Sequence, residues 1–173
     1  MAFAVKAAKF PAVMSLLTFF GLQTLDALDL NTPAPAVTAP DENGAPVHFA
    51  DVYARGVTLV YFFPKAETPG CTAEACDLRD SYAALKTRGV QILGVSADAA
   101  AAQKAFKENH RLPFTLIADS DGAVAKAFRV PTFLGFTKRQ SFLVKDEKIA
   151  WRNLSVSPKT HVAEVTAALD AMK

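Results

Sequence analysis

The 173-residue chain has little of what would assign it to several broad classes of protein. Its formal net charge is only +2, and no block of like charge points to a nucleic-acid partner. The three histidines are scattered without the spacing of metal ligands, so we expect neither a metal nor a cofactor. A Cys-x-x-Cys pair is absent, and the chain has only two cysteines, five residues apart. The composition is otherwise that of an ordinary soluble globular protein, so any functional signal must come from short motifs.

The first 27 residues differ from the rest of the chain. Lys6 and Lys9 precede an apolar run at 12–22, and a small residue, Ala27, follows it. The run is shorter than the about 20 apolar residues that a membrane span needs, so we expect no stable membrane association. The pattern predicts a secretory signal peptide and export, in a bacterium to the periplasm. An amphipathic helix or a retained anchor are the alternatives, and without a signal the protein would be cytoplasmic.

The rest of the chain is predicted to contain one domain. Residues 28–46 are rich in proline and small residues and predict a linker. Residues 47–173 are numerous enough to bury a sizeable core by themselves. We therefore expect a single folded unit after the linker.

Apolar periodicity predicts alternating strands and helices in this domain. Three runs rich in β-branched and aromatic residues predict buried strands at 57–63, 90–96 and 114–118. Helical spacing predicts helices at 71–88, from Asp98 as a cap to residue 109, and at 123–128. Strands that alternate with helices form parallel sheets with right-handed crossovers.

The last part of the chain has a different pattern. Segments 139–144 and 148–153 flank Lys145-Asp146-Glu147 and predict a β-hairpin. Ser157 and Pro158 are predicted to open a final helix. The expected fold is α/β, with a mixed central sheet and helices on both faces. This is the outline of a thioredoxin-like fold, although other α/β sandwiches fit the same pattern.

The first cysteine, Cys71, is predicted to lie at the start of a helix that directly follows a buried strand. A helix N-terminus carries partial positive charge and unpaired amide donors, which favour a reactive thiolate. Thr68 lies three residues earlier and could reach the sulfur or a substrate, and Pro64 stiffens the approach. The alternative is that Thr68 is a helix cap and Cys71 an inert core thiol.

The spacing of Cys71 and Cys76 has a geometric consequence. Five residues along an α-helix separate two Cα atoms by about 8.6 Å. A disulfide needs Cα atoms roughly 4.4–6.8 Å apart. The two thiols therefore cannot be bridged while their helix is intact, and a disulfide requires its first turns to unwind.

The residues around Cys71 resemble a known family. Pro64-x-x-x-Thr68-x-x-Cys71 matches the active-site signature of the peroxiredoxins, which are AhpC/TSA-like thiol peroxidases. Residues 64–76, Pro-Lys-Ala-x-Thr-Pro-Gly-Cys-Thr-x-Glu-Ala-Cys, look like the peroxiredoxin Q or bacterioferritin comigratory protein subgroup. The resemblance covers roughly residues 37–172 and implies a thioredoxin-like fold.

The resemblance also implies a role for each residue of the site. By this likeness Cys71 is the peroxidatic cysteine, Cys76 the resolving cysteine, and Pro64 shields the site. Thr68 binds the peroxide, and Arg139, three residues before a Phe-Leu pair, fits the family's active-site arginine. A solvated charge on the hairpin is the alternative for Arg139.

The implied activity is reduction of hydrogen peroxide and organic hydroperoxides through an intramolecular disulfide, recycled by thioredoxin or a similar dithiol. A monomer is expected, because the resolving thiol lies in the same helix. A thioredoxin-like thiol-disulfide oxidoreductase and a non-catalytic exported domain remain alternatives. The stretch between Phe128 and Arg139 is shorter than is typical of the subgroup, which leaves pocket shape, interface and peroxide preference open.

Overall fold

The computed structural model describes residues 28–172. The predicted signal peptide, residues 1–27, lies outside the described residues and stays a prediction. Along the chain the elements are β1 (Thr38–Pro40), β2 (Pro46–His48), α1 (Phe49–Tyr53), β3 (Thr58–Phe62), α2 (Pro69–Asp80), α3 (Tyr82–Thr87), β4 (Gln91–Ser96), α4 (Ala100–His110), β5 (Thr115–Ala118), α5 (Ala123–Ala127), β6 (Thr132–Phe133), β7 (Phe136–Thr137), β8 (Gln140–Lys145), β9 (Lys148–Asn153) and α6 (His161–Ala171).

A five-stranded mixed sheet in the order β5-β4-β3-β8-β9 forms the centre of the molecule. Strands β3, β4 and β5 are parallel to one another. Strand β8 pairs antiparallel with β3, and β9 pairs antiparallel with β8 at the edge of the sheet. Side chains alternate across the sheet, as the strand geometry requires. Val60 and Phe62 pack with residues of α1 and α5 on one face, whereas Leu59 and Tyr61 pack with residues of α2, α3, α4 and α6 on the other. The predicted α/β fold, with helices on both faces, is confirmed.

Three predicted helix boundaries are wrong. The helix predicted at 71–88 starts at Pro69 and is divided at Ser81 into α2 and α3; the ψ of Ser81 is −3°, far from the typical helical value of about −42°. Helix α4 is preceded by Ala99 as its N-cap rather than by Asp98, whose carboxylate is engaged elsewhere. Helix α6 begins at His161 and not at Ser157, because a turn closed by the Thr160 N–H and the Ser157 carbonyl precedes it.

The segment expected to be a linker packs against the domain instead. It contributes β1 and the start of β2, and it buries Leu28, Ala34 and Ala39 in the core. Backbone hydrogen bonds join Asn31 and Thr32 to Ile149 in β9. The segment thereby covers the edge of the sheet, a position where exposed backbone groups would otherwise invite pairing with another chain. Within residues 28–172, no helix is both long and apolar enough to cross a membrane.

Candidate active site

Cys71 lies in the first turn of α2, directly behind the carboxyl end of the central strand β3. Its side chain is nearly enclosed, with the residue only 2% exposed. Pro69 occupies the first position of the helix, where its missing N–H costs nothing. The first backbone bond of the helix joins the Thr72 N–H to the Thr68 carbonyl, so the amide of Cys71 precedes the hydrogen-bonded ladder. The thiol therefore lies at the positive end of the helix dipole.

The loop between β3 and α2 is fixed by neighbouring elements. The Ala66 N–H donates to Asp98 Oδ2 at 2.8 Å, which explains why Asp98 does not cap α4. Glu67, with a φ of 62°, contacts Asn109 Nδ2 and His110 Nε2, each at 2.9 Å, at the end of α4. The hydrogen bonds with His110 and Asn109 lower the pKa of Glu67. These contacts hold the loop at the carboxyl end of β3.

Pro64 and Thr68 lie at the two ends of this loop. Pro64 follows β3 and is half-buried, and Thr68 is the residue before α2. The Thr68 hydroxyl makes no capping hydrogen bond and instead donates to the Lys65 carbonyl at 2.9 Å. A hydroxyl that donates one bond retains lone pairs that can accept another. Thr68 can therefore accept a hydrogen bond from a bound hydroperoxide.

Arg139 reaches Cys71 because of the register between β3 and β8. Phe62 pairs with Gln140, so Arg139 lies at the carboxyl end of β3, beside the start of the cysteine loop. Its Nη2 donates to the sulfur of Cys71 at 3.2 Å, and its Nη1 contacts Glu74. Burial alone would lower the pKa of Arg139, but the charges of Glu74 and Cys71 outweigh it and raise the pKa. The guanidinium stays charged and is placed to stabilise negative charge at the sulfur.

Glu74 is a fully buried carboxylate one helical turn beyond Cys71. Besides its ion pair with Arg139, its Oε1 lies 2.9 Å from Nδ1 of His161, the first residue of α6. His161 is also fully buried, and its Nε2 lies 2.8 Å from the Ser141 hydroxyl. The charges and polar groups behind the thiol therefore form one continuous network.

Cys76 lies in the second turn of α2 and is half-buried. Both cysteines are free thiols in an unbroken helix, the state that their spacing predicts. Helix α2 ends at Asp80, only one turn beyond Cys76, because of the break at Ser81. Isolated helices of fewer than about 12–15 residues are marginal in water, so the segment that carries both thiols is a short unit held mainly by its packing.

The short stretch before Arg139 forms a small hairpin beside the site. Strands β6 and β7 are joined through Leu134 and Gly135, both with positive φ. Phe133 is 77% and Leu134 is 80% exposed, which gives the hairpin an apolar tip. Its base is tied to the end of β3 by a 2.6 Å hydrogen bond from Thr137 Oγ1 to the Phe63 carbonyl. The hairpin therefore adds an exposed apolar surface near the rim of the site.

The structure brings Cys71 and Arg139 into direct contact and places Pro64, Thr68 and Cys76 on the same loop and helix. Glu74 is not among the residues predicted for the site, although its three-residue spacing from Cys71 puts both on one helix face. His161 and Ser141 are not predicted either. No local pattern could have found these two, because they approach Glu74 only when α6 and β8 pack against α2.

A mixed sheet with a thiol at the start of the helix after its central strand defines the thioredoxin-like class of α/β proteins. Within that class, residues 30–152 match the model of the AhpC/TSA family, and the chain belongs to this family.

Relatives of known name are similar over most of the chain. Peroxiredoxin Q from the chloroplast of Oryza sativa is 37% identical over 143 residues, which are 80% of this chain and 65% of that protein's length. The crystal structure of peroxidoxin BcpB from Mycobacterium tuberculosis is 30% identical, with a TM-score of 0.80 over 84% of this chain and 99% of that one. The bacterioferritin comigratory protein of Xanthomonas campestris, studied for its alkyl peroxide reduction activity, is 28% identical, with a TM-score of 0.75 over 85% and 99% of the two chains.

Among residues 28–172, no group of three or more histidine, cysteine, aspartate or glutamate side chains is arranged to hold a metal ion.

Proposed function

We propose that the protein is a thiol-dependent peroxidase that reduces hydroperoxides at Cys71. The observation that carries this proposal is the 3.2 Å contact between Arg139 Nη2 and the Cys71 sulfur at the start of α2. A cation and a helix N-terminus converge on one buried thiol and favour its ionised, nucleophilic form. The family of the chain and the relatives named above support the same assignment.

In the first step, the Cys71 thiolate attacks the terminal oxygen of the hydroperoxide. The O–O bond breaks, the departing oxygen takes up a proton, and water or an alcohol leaves. Cys71 becomes a sulfenic acid. Arg139, the amide of Cys71 and the Thr68 hydroxyl are positioned to bind the peroxide oxygens and stabilise the charge that develops on them.

In the second step, Cys76 resolves the sulfenic acid. The first two turns of α2 unwind, the Cys76 thiolate attacks the Cys71 sulfur, the S–O bond breaks and water is released. Because α2 ends at Ser81, we expect the unwinding to stay within α2 and the remaining helices to keep their positions. An external dithiol then reduces the disulfide by exchange, supplying two electrons and two protons.

We propose four finer features. The substrates include alkyl hydroperoxides as well as hydrogen peroxide, as the Xanthomonas relative suggests. The reductant is thioredoxin or a similar dithiol protein, and the enzyme acts as a monomer, because both thiols lie on one helix. The sequence of residues 1–27 supports export, which amino-terminal sequencing of the mature protein from fractionated cells tests.

The decisive experiment compares two cysteine variants in a peroxide-consumption assay coupled to a thioredoxin system. We expect Cys71→Ser to abolish consumption. Cys76→Ser should turn over once and then stall or over-oxidise, because no second thiol in the chain can resolve the sulfenic acid. Consumption by Cys71→Ser at the parental rate would refute the proposal. If the parent protein catalyses disulfide exchange but consumes no peroxide, it is a thiol-disulfide oxidoreductase. If it is inactive in both the peroxide and the disulfide-exchange assays, it is a non-catalytic domain.

A further inference from the structure

The side chains behind the thiol form an arrangement that spans a helix face, a sheet face and the start of α6. Cys71 and Glu74, three residues apart, share one face of α2. Arg139 and Ser141, two residues apart, lie on the same side of the sheet. Arg139 bridges Cys71 and Glu74, and His161 lies between Glu74 and Ser141. His161 is therefore connected to the reacting sulfur through two intermediate side chains.

The contacts of His161 indicate which ring nitrogen carries a proton. Nδ1 lies 2.9 Å from Glu74 Oε1, and this closeness to a carboxylate favours the tautomer that carries its proton on Nδ1. The two atoms are too poorly aligned for a good hydrogen bond, and the attraction is mainly between the N–H dipole and the carboxylate charge. Nε2 is held by the Ser141 hydroxyl at 2.8 Å. Packing alone does not explain a fully buried imidazole, because an apolar side chain would fill the space without a desolvation cost.

The carboxylate of Glu74 has an alternative arrangement that would harm the site. Arginine and carboxylate groups favour a bidentate pair, in which two guanidinium nitrogens bind both carboxylate oxygens. Here Arg139 uses only Nη1 on Glu74 Oε2, and Nη2 remains on the sulfur of Cys71. His161 attracts the other oxygen, Oε1. This attraction holds Oε1 near His161 and away from Arg139, which keeps the pair monodentate and leaves Nη2 directed at the sulfur.

We propose that His161 is a positioning residue for the reactive thiol, acting through Glu74 on Arg139. The proposal rests on the proposed function in that Cys71 is taken to be the reacting group. Loss of the Nδ1–H would let the Glu74 carboxylate rotate toward a bidentate pair and draw Nη2 of Arg139 away from Cys71. The thiol would then lose part of the charge that activates it.

Two nearly isosteric variants test this inference. His161→Leu removes the donor, whereas His161→Asn keeps an N–H close to the position of Nδ1. Both are made in a Cys76→Ser background, so that iodoacetamide reports on Cys71 alone. We expect His161→Leu to slow alkylation of Cys71 about tenfold, because Nη2 of Arg139 would move from the sulfur to Glu74. We expect His161→Asn to stay within about threefold of the parent, and kcat/KM for peroxide to follow the same order in proteins that retain Cys76.

The outcomes separate this inference from the proposed function. A parental alkylation rate in His161→Leu overturns the positioning role, and so does equal slowing in both variants, which would indicate packing alone. If the alkylation rate depends on His161 but the parent protein consumes no peroxide, the proposed function is overturned and the positioning role stands.

His48→Leu, at an exposed histidine, is the matched control and should not change the alkylation rate. If His161→Leu does not fold, Ser141→Ala removes the hydroxyl that holds Nε2; slowing of threefold or more supports the role, and an unchanged rate overturns it.

Discussion

Replacement of Arg139 by glutamine removes the cation that contacts the Cys71 sulfur while keeping a polar side chain of similar reach. At 3.2 Å, and with an effective dielectric constant of about 20, two unit charges interact by roughly 5 kcal/mol. Glu74 neutralises part of this charge, so the net effect is closer to that of one charge-assisted hydrogen bond, about 1.5–3 kcal/mol. We therefore expect Arg139→Gln to lower the second-order rate constant with peroxide about 10- to 150-fold.

The assay is competition between the protein and a haem peroxidase for hydrogen peroxide, which measures the first step without any reductant. Arg139→Lys keeps the charge but offers one nitrogen where arginine uses two, so its rate should lie between those of the parent and Arg139→Gln. A rate for folded Arg139→Gln within threefold of the parent would refute the reasoning.

A stability control separates lost activation from a damaged fold. Arg139→Gln leaves the buried carboxylate of Glu74 without its guanidinium partner, and breaking such a pair typically costs about 3–5 kcal/mol. The double variant Glu74→Gln/Arg139→Gln removes the stranded charge as well. We expect the double variant to recover much of the lost thermal stability and none of the lost rate. Recovery of both together would mean that Arg139 acts only on the fold.

Three further predictions concern the loop and helix around the thiol. Thr68→Val should lower the peroxide rate about tenfold in the same competition assay, because one hydrogen bond to the substrate is lost, whereas Thr68→Ser should react like the parent. After peroxide treatment, hydrogen exchange should increase at residues 69–76 and stay unchanged in α3, because the break at Ser81 limits the unwinding; protection that persists through α2 would contradict the resolving step. The lowered pKa of Glu67 means that its stabilising contacts are present above its ordinary value of 4.5 and are lost as the pH falls further. Glu67→Gln should therefore have a lower thermal midpoint than the parent at pH 7, and the difference should disappear in acid; a difference independent of pH would show that the charge of Glu67 is not involved.

Local patterns in the sequence predicted most of the elements that carry the site. The continuous apolar run before Pro64 predicted a buried strand, and the residues from Pro64 to Cys76 predicted a reactive thiol at the start of the next helix. These features depend on neighbours a few residues away, so the chain itself displays them. Helix ends were predicted less well, because Asp98 and Ser157 are good caps whose hydrogen-bonding groups are used for tertiary or turn contacts instead.

The packing of the amino-terminal segment could not be predicted from composition. Proline and small residues are typical of linkers, yet the same residues suit a chain that lies flat against the edge strand β9. Its backbone hydrogen bonds with Ile149 and its bridge to Ile117 join residues that are distant in the chain, so they leave no trace in the local pattern.

By itself, the sequence determined the chemistry that is available: one thiol at a helix start, a second thiol five residues on, and an arginine in a late strand. The spacing of Cys71 and Cys76 also determined that an intact helix keeps them apart, since helix geometry fixes that distance. Only the tertiary structure decided how the thiol is activated. The antiparallel register of β8 on β3 brings Arg139 to Cys71, and the packing of α6 brings His161 to Glu74, because these contacts join segments that meet only in the folded sheet.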